Sequence, residues 1–349
     1  MNRNQKLTGK PEVGIALSVS GPLVFLLRRR KNMLVKEIKK VSVIISLLLA
    51  IAVAVLIPNA TKQPVTDKPY FLYFLGIAGI IIVIFYLLSF FSNKLSAKFE
   101  KKAPLLAGGI LILSIINLIC SKYALLPVLF FPSLDRVFAV FVKDRSLIVK
   151  CILSSAKLLG IGFLVGASLG FITGIVVGFN KKLAYWINPF IKIIGPIPAT
   201  SWSPLVLSLF STSYQAAVFM IALAVWFPIT VMTSNGINNV QQTYFEVADT
   251  LGAGKFYKIF KVGIPAALPS VFLGFFYATT GAFITLVTAE MFGCKSGIGW
   301  YLNWQKSMML YANVYAGLIV LALLCNLIIT LLFKIRDRLL GWQKGVIKW

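Results

Sequence analysis

Eight stretches of this chain are apolar over roughly the 20 residues that a helix needs to cross a hydrocarbon core of about 30 Å. They lie at about residues 41–57, 70–92, 105–126, 148–178, 190–210, 214–234, 266–289 and 312–335. Only 13% of the residues are charged, about half the fraction of an ordinary soluble domain, and 58% are hydrophobic. The sequence therefore predicts an all-α polytopic membrane protein with about eight transmembrane helices.

The basic residues predict which loops face the cytoplasm, because Lys and Arg concentrate on that side of membrane proteins. Every second loop is rich in them, and these loops hold 25 of the 35 Lys and Arg residues: 1–40, 93–102, 179–192, 243–263 and 334–349. The alternate loops hold nine, and Lys157 lies inside a span. We therefore expect both termini in the cytoplasm. The net charge of +25 does not indicate nucleic acid, because basic residues flank spans, as anionic lipid headgroups favour.

The first 40 residues form a basic segment before the first span. A cleavable signal peptide would be the competing interpretation of residues 28–60. No small-residue cleavage site follows the apolar run, and Ile57-Pro58-Asn59 is typical of a helix exit. We expect an uncleaved anchor.

The residue inventory argues against an enzyme. With no histidine, the chain cannot build a serine–histidine pair or a histidine metal site. The fragment Gly252-Ala253-Gly254-Lys255-Phe256 resembles a phosphate-binding loop, which requires GxxxxGK followed by Ser or Thr. Asp249 stands where the first Gly is required and Phe256 where the hydroxyl is required. We therefore expect no nucleotide or other cofactor to bind to this chain.

The four cysteines are far apart and show no CxxC spacing: Cys120, Cys151, Cys294 and Cys325. They are typical of small apolar fillers in membrane helices, and they predict neither a metal site nor a disulfide framework.

The most specific pattern is the polar connection at residues 246–269, EVADTLGAGKFYKIFKVGIPAALP. Its distinguishing residues are Glu246, Ala248, Asp249, Gly252, Ala253 and Pro265. We predict Glu246 and Asp249 in the first turn of a helix, where carboxylates favour the positive end. Gly252 would let the backbone of a partner or of a second helix approach closely, and Pro265 is predicted to stop the helix before the next span. Any amphipathic loop between spans is the alternative interpretation.

This pattern resembles the EAA loop of the membrane-spanning subunits of bacterial ABC importers, with Val247 in place of an Ala. Residues 104–349 are similar to permeases of the nitrate, sulfonate, taurine and bicarbonate importer group. Further matches are Gly195-Pro196-Ile197-Pro198, Phe227-Pro228 and Ser296-Gly297-Ile298-Gly299. The resemblance implies a six-helix core of the type I importer permease fold. Residues 41–103 would be an accessory pair of transmembrane helices outside it.

The resemblance also implies partners and a location. Loop 243–263 would dock as a coupling helix on a partner ABC ATPase, which binds ATP and Mg itself. The permease would form a homodimer or heterodimer in the bacterial cytoplasmic (inner) membrane and take solute from an extracytoplasmic binding protein. A small anion such as nitrate, sulfonate, taurine or bicarbonate is the expected solute. Neutral heterocyclic vitamin precursors are also carried within this group.

Five glycines recur every fourth residue along the fourth span: Gly162, Gly166, Gly170, Gly174 and Gly178. On a helix this spacing forms one stripe that lets another helix approach closely in lipid. The stripe is either a crossing near the pore or dimer axis that slides between two states, or a static seam within one subunit. The spacing predicts closeness and leaves both interpretations open.

Four prolines interrupt the fifth apolar stretch: Pro189, Pro196, Pro198 and Pro204. Broken backbone at membrane depth is tolerated where it is buried in protein or lines a water-filled cavity. We therefore expect a discontinuous helix that lines the translocation path, with the polar side chains of Thr200, Ser201 and Ser203 facing water or solute. The alternative is a cytoplasmic amphipathic turn followed by a shorter straight span from about Trp202.

Two charged residues at span positions are further candidates for the path. Lys157 would lie roughly two turns inside the fourth helix, where it would meet an anionic solute or extend to the outer interface. Glu290 ends the seventh span. It would cap a helix, pair with Lys157 or Lys295 at an outer gate, or stand as an interfacial carboxylate in water.

Two other functions fit a polytopic chain. A secondary transporter would usually show inverted repeats and intramembrane acids, and neither is evident in the sequence. A non-transporting scaffold could recruit an ATPase through loop 243–263 without moving a solute.

Overall fold

The computed structural model describes residues 20–343, so the predicted basic segment 1–40 lies partly outside the described residues. All regular structure within 20–343 is helical, as predicted. The chain divides into two compact units, Met1–Val128 with Pro132–Arg136 and Leu129–Phe131 with Val137–Trp349. The limits predicted for the accessory pair and the permease core are functional assignments, and they stay predictions.

The first unit contains three long helices and a π-turn: α1 Ser20–Leu56, α2 Tyr70–Phe91, α3 Asn93–Ile116 and the turn Asn117–Lys122. Helix α3 packs on α1 and α2 around Val43, Phe99 and Ala103. At one end of this unit the Asp135 carboxylate accepts a 3.0 Å hydrogen bond from the N–H of Phe71, in the first turn of α2. A carboxylate at this position satisfies an otherwise unpaired helix donor.

The second unit holds the remaining helices, of which α4 Leu134–Lys143 begins in the first unit. Its other helices are α5 Arg145–Phe179, α6 Lys181–Ile194, α7 Ser203–Leu209, α8 Ser213–Asn238, α9 Gln242–Thr250, α10 Lys255–Tyr257, α11 Ile264–Gly293, α12 Ile298–Ser307 and α13 Tyr311–Leu339. A 3₁₀ turn at Ala199–Trp202 precedes α7, and a π-turn at Lys258–Gly263 joins α10 to α11.

The predicted membrane spans are confirmed. Seven of the described helical segments are long and apolar enough to cross a membrane. An eighth span forms if α6 and the segment Ala199–Leu209, which are bent by 84° at the break between them, count as one. The chain is thus an all-α polytopic membrane protein with seven or eight spans within residues 20–343, and the fifth predicted span is the one that the prolines divide.

The centre of the second unit is the crossing of α5 and α8. All five glycines of the stripe face α8, and a β-carbon on any of them would lie closer than 3.0 Å to an atom of that helix. The α8 side chains opposite them include Ile221, Val225 and Ile229, none of which is exposed to solvent. The stripe is therefore a packing seam within this chain. Sliding between two states stays a prediction.

Hydrogen bonds reinforce this crossing in the middle of the two helices. The hydroxyl groups of Thr173 and Thr230 lie 2.7 Å apart, and the indole N–H of Trp226 donates to Thr173 at 3.1 Å. Thr230 is completely buried and also reaches the carbonyl of Gly170 at 3.2 Å. Polar pairs of this kind add modest stability between membrane helices that approach closely.

Candidate functional site

The loop with the distinguishing pattern folds as two helical arms. We call residues 242–263 the coupling segment, after the coupling helix that the EAA-loop resemblance implies. Its first arm is α9, Gln242–Thr250, and its second runs through α10 and the π-turn to Gly263. Glu246 and Asp249 were predicted in the first turn of a helix, and this is wrong. Helix α9 begins four residues before Glu246, so Glu246 lies mid-helix and Asp249 in the last turn.

Gly252 ends the first arm through its backbone conformation. Its φ is +74°, a left-handed value that favours glycine. The N–H of Gly252 donates to the carbonyl of Asp249 at 2.9 Å, and the N–H of Ala253 donates to that of Ala248 at 2.9 Å. These two bonds form the Schellman motif that closes a helix C-terminus. The glycine thus turns the chain between the arms, and its side-chain position faces open space.

An apolar face of α9 is exposed. Tyr244, Val247 and Leu251 are 56%, 54% and 80% exposed, and their i, i+3, i+7 spacing aligns them on one side of the helix. They border a cavity of about 900 Å³ that Ala248, Gly252 and Ala253 of the predicted pattern also line. Sequence reasoning missed these three residues, although the apolar spacing inside a polar loop was a readable signal.

The second arm is connected to the first by an ion pair and continues into the membrane span. Lys258 Nζ lies 2.6 Å from Asp249 Oδ1, a partly exposed pair across the turn. Pro265 was predicted to stop this helix, and this is wrong. The wide π-turn directly before Pro265 loosens the winding where a regular helix would clash with the proline ring, so the helical path from Lys255 runs on to Gly293.

The proline segment, residues 189–204, borders a cavity of about 200 Å³ between its bend and helices α8 and α11. Its lining residues carry no charge: Ile194, Gly195, Ile197, Pro198, Ala199, Thr200, Leu223, Ala224, Phe227, Gly281, Ile284 and Thr285. Pro198 and Thr200 were predicted on a path and line this cavity, whereas Pro196, Ser201 and Ser203 do not. A helix bent by 84° agrees with the predicted break.

Two threonines are the residues of this lining that have polar side chains. Thr200 and Thr285 bring hydroxyl groups, which both donate and accept hydrogen bonds. The cavity therefore offers hydrogen bonds to a solute without offering it a charged side chain.

The two charged candidates lie elsewhere. Lys157 is exposed on α5 and does not line the cavity. Glu290 is fully buried, so it is not an interfacial carboxylate in water. Its Oε1 accepts from the Ser155 hydroxyl at 2.6 Å, and its Oε2 accepts from the N–H of Gly299 at 2.7 Å. These bonds, rather than one to Lys157 or Lys295, cap the first turn of α12.

A second, partly buried hydrogen-bond network joins α12 to the start of α5 and to α13. The Tyr301 hydroxyl donates to Asp144 at 3.0 Å, and the Asn313 amide donates to the same carboxylate at 2.7 Å. Burial, with the nearby Asp144 charge, raises the pKa of Tyr301 well above its usual value. This hydroxyl therefore stays protonated and acts as a hydrogen-bond donor. Among residues 20–343, no group of three or more His, Cys, Asp or Glu side chains is placed to hold a metal ion.

Comparison with a protein-family model identifies the part of the chain that carries these features. The model described as binding-protein-dependent transport system inner membrane component matches residues 166–341. This match contains the coupling segment, the proline segment and Glu290. It begins beyond the three long helices of the first unit.

Individual relatives agree with this match. The chain is 33% identical over 185 residues to a Bacillus subtilis protein named as an aliphatic sulfonates transport permease, covering 53% of this chain and 67% of the relative. It is 31% identical over 199 residues to a nitrate import permease protein of Synechococcus elongatus, covering 55% and 67%. It is also 31% identical over 223 residues to a bicarbonate transport system permease protein of that species, covering 63% and 75%.

Proposed function

The chain belongs to the family of binding-protein-dependent transport system inner membrane components, and we propose that it forms the solute path of an ATP-driven ABC importer. Its own role is that of a permease subunit, so ATP hydrolysis takes place on partner ATPase subunits that bind ATP and Mg. The solute reaches it from an extracytoplasmic binding protein. Two permease subunits, identical or different, complete the path in the cytoplasmic membrane, with both termini and the coupling segment on the cytoplasmic side.

The exposed apolar face of α9 supports this role most directly. Tyr244, Val247 and Leu251 lie on the connection between two apolar spans, and they border an open cavity. Exposed apolar residues grouped on one helix face are typical of a protein–protein contact. An ATPase surface that covers this face would remove them from water. The Schellman turn at Gly252 joins α9 to the second arm, whose Tyr257 and Val262 line the same cavity.

Transport then follows from two states of the assembled complex. ATP binding draws the ATPases together and brings the two coupling segments closer, and this movement opens the cavity at the proline segment outward. Hydrolysis resets the inward state. The differential contact between the ATPase and the coupling segment supplies the free-energy difference between the two states.

The solute is a small polar molecule, and anions are the first class to test, because relatives are named for sulfonates, nitrate and bicarbonate. The uncharged lining of the cavity favours a second candidate, a neutral solute that makes hydrogen bonds. If the solute is an anion, its charge is selected by the binding protein or by a group outside this cavity. Solute binding to the partner binding protein, measured by calorimetry, separates the two candidates.

One substitution tests the ATPase contact. Leu251→Asp places a charge in the centre of the proposed contact, so we expect at least a tenfold weaker association with the ATPase and loss of uptake in proteoliposomes. Thr250→Asp is the matched control, because it adds the same charge at the neighbouring exposed position, off the apolar stripe. Equal ATPase binding by Leu251→Asp and the unmodified chain would contradict the proposal.

Cysteine labelling tests on which side of the membrane the coupling segment lies. In a variant that lacks the four native cysteines, Lys258→Cys should react with a membrane-impermeant maleimide only after the cytoplasmic side is opened. Labelling from outside in intact cells would place the coupling segment on the wrong side for an ATPase.

A further inference from the structure

Phe179, the last residue of α5, contacts both arms of the coupling segment. Its ring meets the ring of Phe245 in α9 edge to face, with 6.1 Å between centroids and 88° between planes. The tip of the same ring points at Gly263 at the end of the second arm. A β-carbon on Gly263 would overlap Cζ of Phe179 and lie 3.1 and 3.2 Å from its two Cε atoms.

The Phe179 ring connects α5 to two arms that are not adjacent to it in the sequence. The first arm continues in sequence from α8, and the second arm leads into α11. Helix α5 is continuous with neither arm, since α6, α7 and α8 follow it before the coupling segment begins. The Phe179 ring contacts both arms, so it gives a movement of the arms a direct route to α5 in addition to the route through α8.

The length and the contacts of helix α5 would let it carry such a movement to α8 and α12. It is one unbroken helix of 35 residues, about 50 Å long at 1.5 Å per residue. The glycine stripe locks it against α8 along most of this length, because no side chain separates the two backbones. Toward its other end Ser155 donates to Glu290 and accepts a 2.8 Å hydrogen bond from the N–H of Ile298. A shift of the end of α5 that carries Phe179 would therefore also displace the helix at its crossing with α8 and at its contact with α12.

We propose that Phe179 is a positioning residue that transmits movement of the coupling segment to the crossing of α5 and α8. The inference rests on the proposed function, because it needs an ATPase to move the arms. Phe179 touches neither solute nor nucleotide in this role. Its ring keeps α9, the second arm and α5 moving as one body, and Gly263 is glycine because any side chain there would push the ring away.

The test is a size exchange at the two positions. Phe179→Leu shortens the side chain and opens a gap, and Gly263→Ala displaces the ring by filling its contact point. Each single change should lower the number of solutes imported per ATP hydrolysed by at least threefold, while the ATPase still binds. The double variant should recover part of this loss, because the added methyl group occupies space that the smaller side chain leaves.

Phe171→Leu is the control for a merely structural effect. Phe171 lies eight residues earlier on α5 and is partly buried against the core of the second unit, away from the coupling segment. Its replacement should lower thermal stability to a similar degree and leave the import-to-hydrolysis ratio unchanged. If Phe179→Leu does not insert into the membrane, Gly263→Ala alone still tests the contact.

The outcomes separate the inference from its premise. An unchanged import-to-hydrolysis ratio in Phe179→Leu and Gly263→Ala, with the ATPase bound, would overturn the inference and leave the proposed function standing. Strictly additive losses in the double variant would also overturn it. Failure of the unmodified chain to bind and stimulate an ABC ATPase would overturn the proposed function and the inference with it.

Discussion

Glycine is used in two different ways in the crossing of α5 and α8 and in the coupling segment. In the crossing, Gly166 has ordinary helical backbone, and a β-carbon on it would collide with the Ala222 carbonyl and with Val225. In the coupling segment, Gly252 has a φ of +74° and nothing within 4 Å of its β-carbon position. The first glycine is needed for space and the second for backbone geometry.

This difference separates a part of the molecule that resists change from one that has to remain accessible. The crossing is closed by its own packing, with Ile221, Val225 and Ile229 fully buried. The coupling segment leaves Tyr244 and Leu251 exposed, as the proposed ATPase contact requires. Substitutions in the crossing should therefore act on stability, and substitutions in the segment should act on transport with stability preserved.

The largest effect should come from Gly166→Val. The added side chain has to separate two packed helices, and overpacking of this kind costs about 1–3 kcal/mol or more. We expect a strong loss of protein from the membrane and a large fall in thermal stability in detergent. Gly160→Val is the matched control on the same helix, because a β-carbon there meets nothing within 4 Å. Equal stability of the two variants would contradict the close crossing.

Glu290→Leu should be nearly as costly, for a different reason. It leaves the Ser155 hydroxyl and the Gly299 N–H buried without their acceptor, at about 1–3 kcal/mol for each group. Glu290→Gln should be much milder, because an amide can accept from Gly299 and donate to Ser155. Thermal unfolding of the three proteins checks this order. If the two variants were equally stable, the capping role would be wrong.

Gly252→Ala tests whether the backbone geometry of the turn in the coupling segment is needed for transport. An alanine held at φ +74° costs about 1–2 kcal/mol locally, so the turn between the arms should loosen while the helices of the core keep their stability. We expect normal expression and reduced uptake. Gly254→Ala, at φ −70° with open space around it, should transport normally. A loss of core stability in Gly252→Ala would erase the distinction between the two regions.

The smallest effect should come from Lys258→Gln. The ion pair with Asp249 is partly exposed, and pairs of this kind contribute less than about 1 kcal/mol. Uptake and stability should change little at physiological salt. A severalfold loss of uptake would show that Lys258 contacts the ATPase itself, and a measurement of ATPase affinity against salt concentration would confirm this.

Much of the fold could be predicted from the sequence, because membrane spans depend on long apolar runs that need no tertiary information. The stripe from Gly162 to Gly178 predicted a close crossing on spacing alone. The partner helix could not be predicted, since spacing on one helix does not identify the surface that covers it. The break at Pro196 and Pro198 was also readable, because a missing N–H acts locally.

The candidate site was less predictable where the position of a residue depends on neighbouring turns or on distant contacts. The start of α9 is set by the turn that follows α8, so the acidic residues alone did not locate Glu246 within its helix. The pattern of a charged residue at the end of a span did not reveal that Glu290 is buried, because its acceptor role depends on Ser155, 135 residues away. Phe179 carried no local signal, since its two contacts lie in segments that the chain reaches much later.

The π-turn at Lys258–Gly263 sets the rotational phase between the second arm and the span that follows it. A π-turn holds one more residue than a regular turn over the same distance, and each residue of an α-helix advances the chain by about 100°. Deleting one residue from this stretch would restore regular winding and rotate Phe256 and Tyr257 to another side of the arm. A substitution here would alter one side chain, whereas a deletion would change the direction that the whole arm presents to a partner. The number of residues in this stretch is therefore a property that selection can act on independently of their identity.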